Sequence, residues 1–155
     1  MRCHLNIGSN IGDSRRLIES AIRLIESRIA VSDSMRVSKP YVSEAWGYES
    51  PHRFTNVGVS LLTELSPTEL LARIQSIEQM LGATAHRNAD GSYCDRNLDI
   101  DIIHLGDLVL NTPGLTVPHP RMHLRDFVLI PLAELEPDWK ENIPQSELIR
   151  GQQDN

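Results

Sequence analysis

Residues 96–103 read Arg96-Asn97-Leu98-Asp99-Ile100-Asp101-Ile102-Ile103. In an extended chain successive side chains alternate faces, so Leu98, Ile100 and Ile102 point one way and Asp99, Asp101 and Ile103 the other. The stretch therefore predicts a strand with one apolar face and two carboxylates on the opposite face. Two residues advance a strand by roughly 6.6 Å, so both carboxylates can serve one cation or a closely spaced pair. Like charges this near each other call for a counter-charge, which Arg96 or a divalent metal can supply. The same eight residues also fit an edge strand whose outer face is merely acidic and solvated, and by themselves they leave the choice open.

Working outward, the segment before this strand carries the clearest helix signal. Ser66 stands at the cap, Pro67 at the first helical position and Glu69 completes a capping box. Leu70, Ile74, Ile77 and Leu81 form its core stripe and Gly82 is placed to end it. Nearer the N-terminus, Leu5-Asn6-Ile7 reads as a short strand running into Gly8-Ser9-Asn10-Ile11-Gly12. A helix capped by Asp13 or Ser14 follows, with Leu17, Ile18, Ala21, Ile22, Ile25 and Ile29 on one stripe. Residues 35–42 and Thr55–Leu62 read as strands, with Ser43–Arg53 a loop between them. Residues 83–95 read as a loop; a turn at Gly106-Asp107 predicts that Leu108–Leu110 pairs back on the acidic strand. A further apolar segment, Phe127–Leu132, ends at a break at Pro137. The order strand, helix, strand, strand, helix, strand predicts an α+β fold, a ferredoxin-like antiparallel sheet with helices packed on it.

The chain has 155 residues and 40% hydrophobic composition, enough for one domain with a substantial core. Residues 1–139 read as that single domain and 140–155 as a polar tail, with a helical turn near Glu147–Ile149. A net charge of −6 argues against nucleic-acid or anionic-membrane binding. The apolar runs are too short to span a bilayer, and the N-terminus lacks a secretory h-region. Cys3 and Cys94 have no metal-type spacing and form no disulfide framework, which suits a reducing cytoplasm.

Beyond the carboxylate pair, Leu115–Phe127 concentrates chemistry. His119 lies between Pro118 and Pro120, which hold its backbone, and Arg121 and Arg125 are spaced to share a face of a short helix as an anion fork. A rigid turn with solvated arginines fits the same residues. Asn56, in a strand-like run two residues after Phe54, offers an amide able to read a heterocycle edge, or to cap a turn. Arg87 is a lone loop cation. Gly8-Ser9-Asn10 lacks the Lys-Ser/Thr of a phosphate-binding P-loop, and no nucleophilic triad or zinc motif occurs.

Together these pieces resemble the 6-hydroxymethyl-7,8-dihydropterin pyrophosphokinase family. The resemblance spans roughly residues 5–139 and rests on Ile7–Gly12, Phe54-x-Asn56, Gln75-x-x-Glu78, Asp95–Ile103 and Leu115–Phe127. It implies a small soluble enzyme, often a monomer, that acts in folate biosynthesis. Diphosphate passes from ATP to the pterin's hydroxymethyl oxygen and AMP is released. It implies small-molecule substrates only and two magnesium ions, held by Asp99 and Asp101. Phe54 and Phe127 would sandwich the pterin, Asn56 would read its polar edge, and the backbone from Ser43 to Trp46 would finish the pocket. Leu71, Gln75, Glu78 and Ile102 would line the nucleotide site, with Thr116, His119 and Arg125 near ribose or phosphate. Arg96, with Arg87 from the loop, would neutralise the transferred group. Relatives often carry several loop arginines where this chain has Arg87, Leu where it has Trp46, and Tyr where it has Phe54. The thinned loop leaves a second reading, a non-catalytic ferredoxin-like module that binds pterin or nucleotide.

Overall fold

A computed structural model describes residues 1–10, 14–46, 51–83 and 98–144. Its central strand, β1 (Arg2–Ser9), is covered on both faces. Cys3, Leu5 and Ile7 enter an apolar core together with Ile18, Ala21 and Ile25 of α1 (Ser14–Arg28). The same core holds Leu70, Ile74 and Ile77 of α2 (Pro67–Glu78). The residues of β1 between them, His4 and Asn6, are equally buried but bond to groups on the opposite side of the sheet.

Four more strands complete the sheet: β2 (Arg36–Val37), β3 (Tyr41–Trp46), β4 (Pro51–Leu62) and β5 (Asp99–Leu105). The order is β2-β4-β1-β5, with β3 also along β4, and all pairings are antiparallel. That is the expected ferredoxin-like arrangement. The capping box of α2 is present: Ser66 Oγ accepts from the Glu69 N–H, and Glu69 Oε1 accepts from the Ser66 N–H. Gly82 does not end this helix; a wider π-helical turn, Gln79–Ala83, continues it.

Several local expectations are corrected. The stretch 35–42 is two strands separated at Pro40, whose ring removes a ladder donor. The expected loop Ser43–Arg53 is mostly a hairpin, since Ser43 pairs with Phe54 and Trp46 with Pro51. Leu108–Leu110 does not return to β5. Instead β6 (Leu110–Thr112) and β7 (Leu115–Val117) form their own two-stranded ribbon, turning at Gly114 with φ 93°. The helical turn expected near Glu147–Ile149, the Asp13 cap and the loop from 84 onward lie outside the described residues.

The second face of the sheet is closed by α3 (Asp126–Leu135) and α4 (Trp139–Asn142). Ile103, Met122, Val128, Leu132, Trp139 and Ile143 make a second apolar cluster there. A bulge in β5 opposite His4 and Leu5 lets the consecutive side chains Ile103 and His104 both serve this face. No described helix is long and apolar enough to cross a membrane.

Register stacks three polar rows on this side: Asn56–Gly8–Asp99, Gly58–Asn6–Asp101 and Ser60–His4–His104. The third row is closed by Glu136, 2% exposed, just beyond α3. A carboxylate has no proton to give, so its partners donate: Ser60 Oγ at 2.8 Å and His104 Nε2 at 3.0 Å. His4 Nδ1 then donates to Ser60 Oγ at 2.8 Å. Burial opposes ionisation of Glu136, but the bonds from His104, His4 and Ser60 outweigh it and hold the carboxyl well below the usual range. Burial pushes the His4 imidazole down, against the pull of Glu136.

Both shifts have the same consequence. His4 binds fewer protons folded than unfolded below its ordinary value of 6.5, and Glu136 does so below 4.5, so stability falls as pH falls. The melting temperature is expected to hold above pH 6.5 and decline in two stages below it, measured by calorimetry from pH 8 to 3.5. Glu136→Ala leaves Ser60 and His104 without their acceptor; it is expected to cost about 3 kcal/mol and to lower Tm by on the order of 10 °C at pH 7.

Candidate active site

The two carboxylates sit where the strand pattern predicts. β5 is the edge next to β1, with Ile100 and Ile102 buried while Asp99 is exposed and Asp101 half-buried. The edge is held from α2: Glu78 Oε2 accepts from the Ile100 N–H at 2.9 Å. Glu78 thus braces the acidic strand between its two aspartates, a contact that spacing alone did not reveal.

Against this edge lies a cavity of about 300 Å³. Leu71 of α2, Ile100, Asp101 and Ile102 of β5, Thr112, Gly114, Leu115 and Thr116 of the β6–β7 ribbon, and His119 and Pro120 line it. Four residues expected at the nucleotide, Leu71, Ile102, Thr116 and His119, therefore meet in one hollow. Gln75 is exposed on α2 and does not line it. Thr112, Gly114, Leu115, Ile100 and Pro120 were not anticipated; the Pro113-Gly114 turn between two short apolar runs was the available signal.

His119 is anchored twice. Its N–H donates to the Ile103 carbonyl at 2.7 Å, and its Nδ1 accepts from the Arg121 N–H at 3.2 Å. Burial, then Arg125 and Arg121, push its pKa down to about 4, with Asp99 pulling the other way. The ring is neutral near pH 7 with Nδ1 occupied as an acceptor, so its proton sits on Nε2 as a donor. Arg121 and Arg125 do not share a helix face; they flank the three-residue 3₁₀ turn Met122–Leu124. Both still act on His119, and Arg125 lies 5.6 Å from the Phe127 ring centroid.

A second group of residues gathers beside the first row. Asn56 is 6% exposed and stands opposite Gly8, and a Cβ on Gly8 would lie 2.8 Å from Asn56 Oδ1. Glycine is needed there so the amide can cross the strand. Phe54 follows on the same face of β4, paired with Ser43. Phe127, in the first turn of α3, is fixed through its carbonyl to Asn6, two residues along β1 from Gly8. Three of the expected residues, Asn56, Asp99 and Phe127, thereby converge on one end of β1. Arg87, Arg96 and the Trp46 side chain lie outside the described residues.

A model of the family described as 7,8-dihydro-6-hydroxymethylpterin-pyrophosphokinase matches residues 4–137. The chain belongs to this family. Relatives named 2-amino-4-hydroxy-6-hydroxymethyldihydropteridine pyrophosphokinase are similar over most of their length. That of Porphyromonas gingivalis is 42% identical over 135 residues, covering 86% of this chain and 90% of the relative. That of Aquifex aeolicus is 37% identical, covering 87% and 80%. The Folic acid synthesis protein FOL1 of Dictyostelium discoideum is 34% identical over 88% of this chain but only 20% of its own length.

For this pyrophosphokinase family member the donor set of Asp99 and Asp101 suits a hard divalent cation. Among the described residues no third acidic, histidine or cysteine ligand joins them. Such a pair leaves coordination positions for phosphate oxygens and water, as magnesium prefers. NMR titration of the His119 ring is expected to show no protonation between pH 8 and 5.5, with a pKa near 4. Arg125→Ala, which removes the larger of its two positive neighbours, is expected to raise that pKa.

Proposed function

We propose that the two neighbouring hollows are the ATP and pterin sites of a diphosphoryl transfer, with the acidic strand between them. ATP lies in the cavity under the β6–β7 ribbon. Leu71 and Ile102 contribute apolar contact to the base. The edge of β5 contributes main-chain groups, because Ile102 directs its N–H along the same outer edge as Ile100. The Nε2–H of neutral His119 donates to a ribose or phosphate oxygen, and Arg125 adds permanent charge. The reduced pterin lies between Phe54 and Phe127, with its amide-like edge against Asn56, which offers donor and acceptor together. Its hydroxymethyl group points toward the aspartates.

In the reaction the hydroxymethyl oxygen bonds to the β-phosphorus of ATP. The bond from that phosphorus to the α,β-bridging oxygen breaks, AMP leaves with the electron pair, and the hydroxyl proton is released. Such a transfer needs alignment and charge neutralisation more than covalent help. Asp99 and Asp101 would hold magnesium, two ions in the full complex, which would supply that neutralisation. Arg96 and Arg87, picked out by the family resemblance, would add to it. The single observation that carries the reading is Asp101 lining the same cavity as Leu71, Ile102, Thr116 and His119. The naming of the relatives as pyrophosphokinases favours an enzyme over the non-catalytic module.

ATP, magnesium and 6-hydroxymethyl-7,8-dihydropterin are expected to yield AMP, dependent on the pterin; ADP as the product refutes diphosphoryl transfer. Asp99→Ala and Asp101→Ala are each expected to lower kcat by on the order of 10³-fold with the fold retained by circular dichroism. Gly8→Ala is expected to push the Asn56 amide aside and raise the KM for pterin by about 10-fold, with the KM for ATP little changed.

A further inference from the structure

Asn6 has no assigned part in the chemistry, yet it is 3% exposed on the central strand, between Gly58 and Asp101 in register. A buried amide in a strand needs a reason. Its Nδ2 donates to the carbonyl of Phe127 at 2.9 Å, across 121 positions of sequence. In an α-helix that carbonyl accepts from the N–H four residues on. Here the fourth residue is Pro131, inside α3, which has no N–H to give. The helix is intact on either side of the gap: the Arg125 carbonyl accepts from the Leu129 N–H at 2.9 Å, and the Leu132 carbonyl from the Glu136 N–H at 2.7 Å. Pro131 itself presses on the sheet beside Asn6. A Cβ on Gly58, the register neighbour of Asn6, would lie 2.9 Å from Pro131 Cβ.

We propose that Asn6 is a positioning residue of the pyrophosphokinase: it supplies from the sheet the hydrogen bond that Pro131 denies the Phe127 carbonyl, and so sets the aromatic ring against the pterin. The inference rests on the pterin site proposed above. The bond ties the peptide that carries the stacking ring to the row of the sheet that also carries Asp101. One contact therefore relates the bound heterocycle to the acidic strand. Its loss frees the first turn of α3 to tilt, so the ring presents a range of positions rather than one, and pterin binding weakens while the nucleotide cavity on the other side of β5 is untouched.

The test is a double-mutant cycle with steady-state kinetics. Asn6→Ala is expected to raise the KM for pterin by about 10-fold, the worth of one half-buried hydrogen bond, with the KM for ATP within about 2-fold of wild type. Pro131→Ala restores an N–H at the missing rung, so Asn6→Ala/Pro131→Ala is expected to bring the pterin KM back to within about 3-fold of wild type. A role in packing alone predicts instead that the double variant is worse than either single one. Asn6→Leu, which fills the same space without a donor, serves if the alanine variant folds poorly.

An unchanged pterin KM in Asn6→Ala, an equal rise in both KM values, or no recovery in the double variant overturns the proposal. Phe127→Ala is measured alongside. If it too leaves the pterin KM unchanged, the pterin site is misplaced and this inference falls with it. If Phe127→Ala weakens pterin while Asn6→Ala does not, only the positioning role is lost.

Discussion

The structure depends on how the polar face of the central strands is satisfied. β1 is buried on both sides, and on the side away from α1 and α2 it presents His4 and Asn6 beside Ser60 and His104. Buried polar groups without partners cost more than their bonds return, so whatever covers this face must bring matching donors and acceptors. α3 does so at both ends. The Phe127 carbonyl meets Asn6 at its start, and Glu136 meets His104 and Ser60 just past its finish. Arg36 adds a bond to the Leu135 carbonyl at 2.8 Å, where the helix leaves acceptors open. These matches allow few other placements of α3, and with it of Phe127 and Arg125.

The site is then a consequence of registry. Gly8, the one small residue in the first polar row, lets Asn56 reach across toward the strand that carries Asp99. The β5 bulge changes the face on which residues fall only after Ile102, so the two aspartates keep the polar side while Ile100 and Ile102 keep the core. Past the bulge the strand turns at Gly106 and leads to the ribbon that lines the cavity beside Asp101. Charge is arranged on the same plan: burial, then Arg125 and Arg121, hold His119 neutral, while Asp99 pulls the other way.

Much of this was legible along the chain because it is local. The Ser66-Pro67-Glu69 signature marked the start of α2, since a cap involves residues three apart. The alternation at 98–102 marked β5 and the face of its aspartates, since a strand repeats every two residues. Asn56, His119 and Phe127 were singled out from residue type and motif; the folded chain puts Asn56 and Phe127 against one end of β1 and His119 in the cavity that Asp101 lines. What was misread is non-local or depends on competition between partners. Leu108–Leu110 had a turn before it and was read as pairing back on β5, yet β6 found β7 instead. Ser43–Arg53 is rich in turn formers, but its two described ends pair as strands, Ser43–Trp46 of β3 against Pro51–Phe54 of β4. An apolar run with an interior proline gave little helix signal for α3, because the donor that makes Pro131 tolerable sits on β1.

By itself, then, the sequence determined helices α1 and α2, strands β1 and β5, the ferredoxin-like order, the pair of strand carboxylates and the family to which the motifs belong. These follow from periods and caps that span a few residues. Only the tertiary structure decided that Glu78 braces the acidic strand, that Glu136 gathers two histidines and a serine, and that Asn6 completes a helix it does not belong to. Each joins residues from different elements, and a hydrogen bond leaves no mark on the chain at the spacing where its two partners lie.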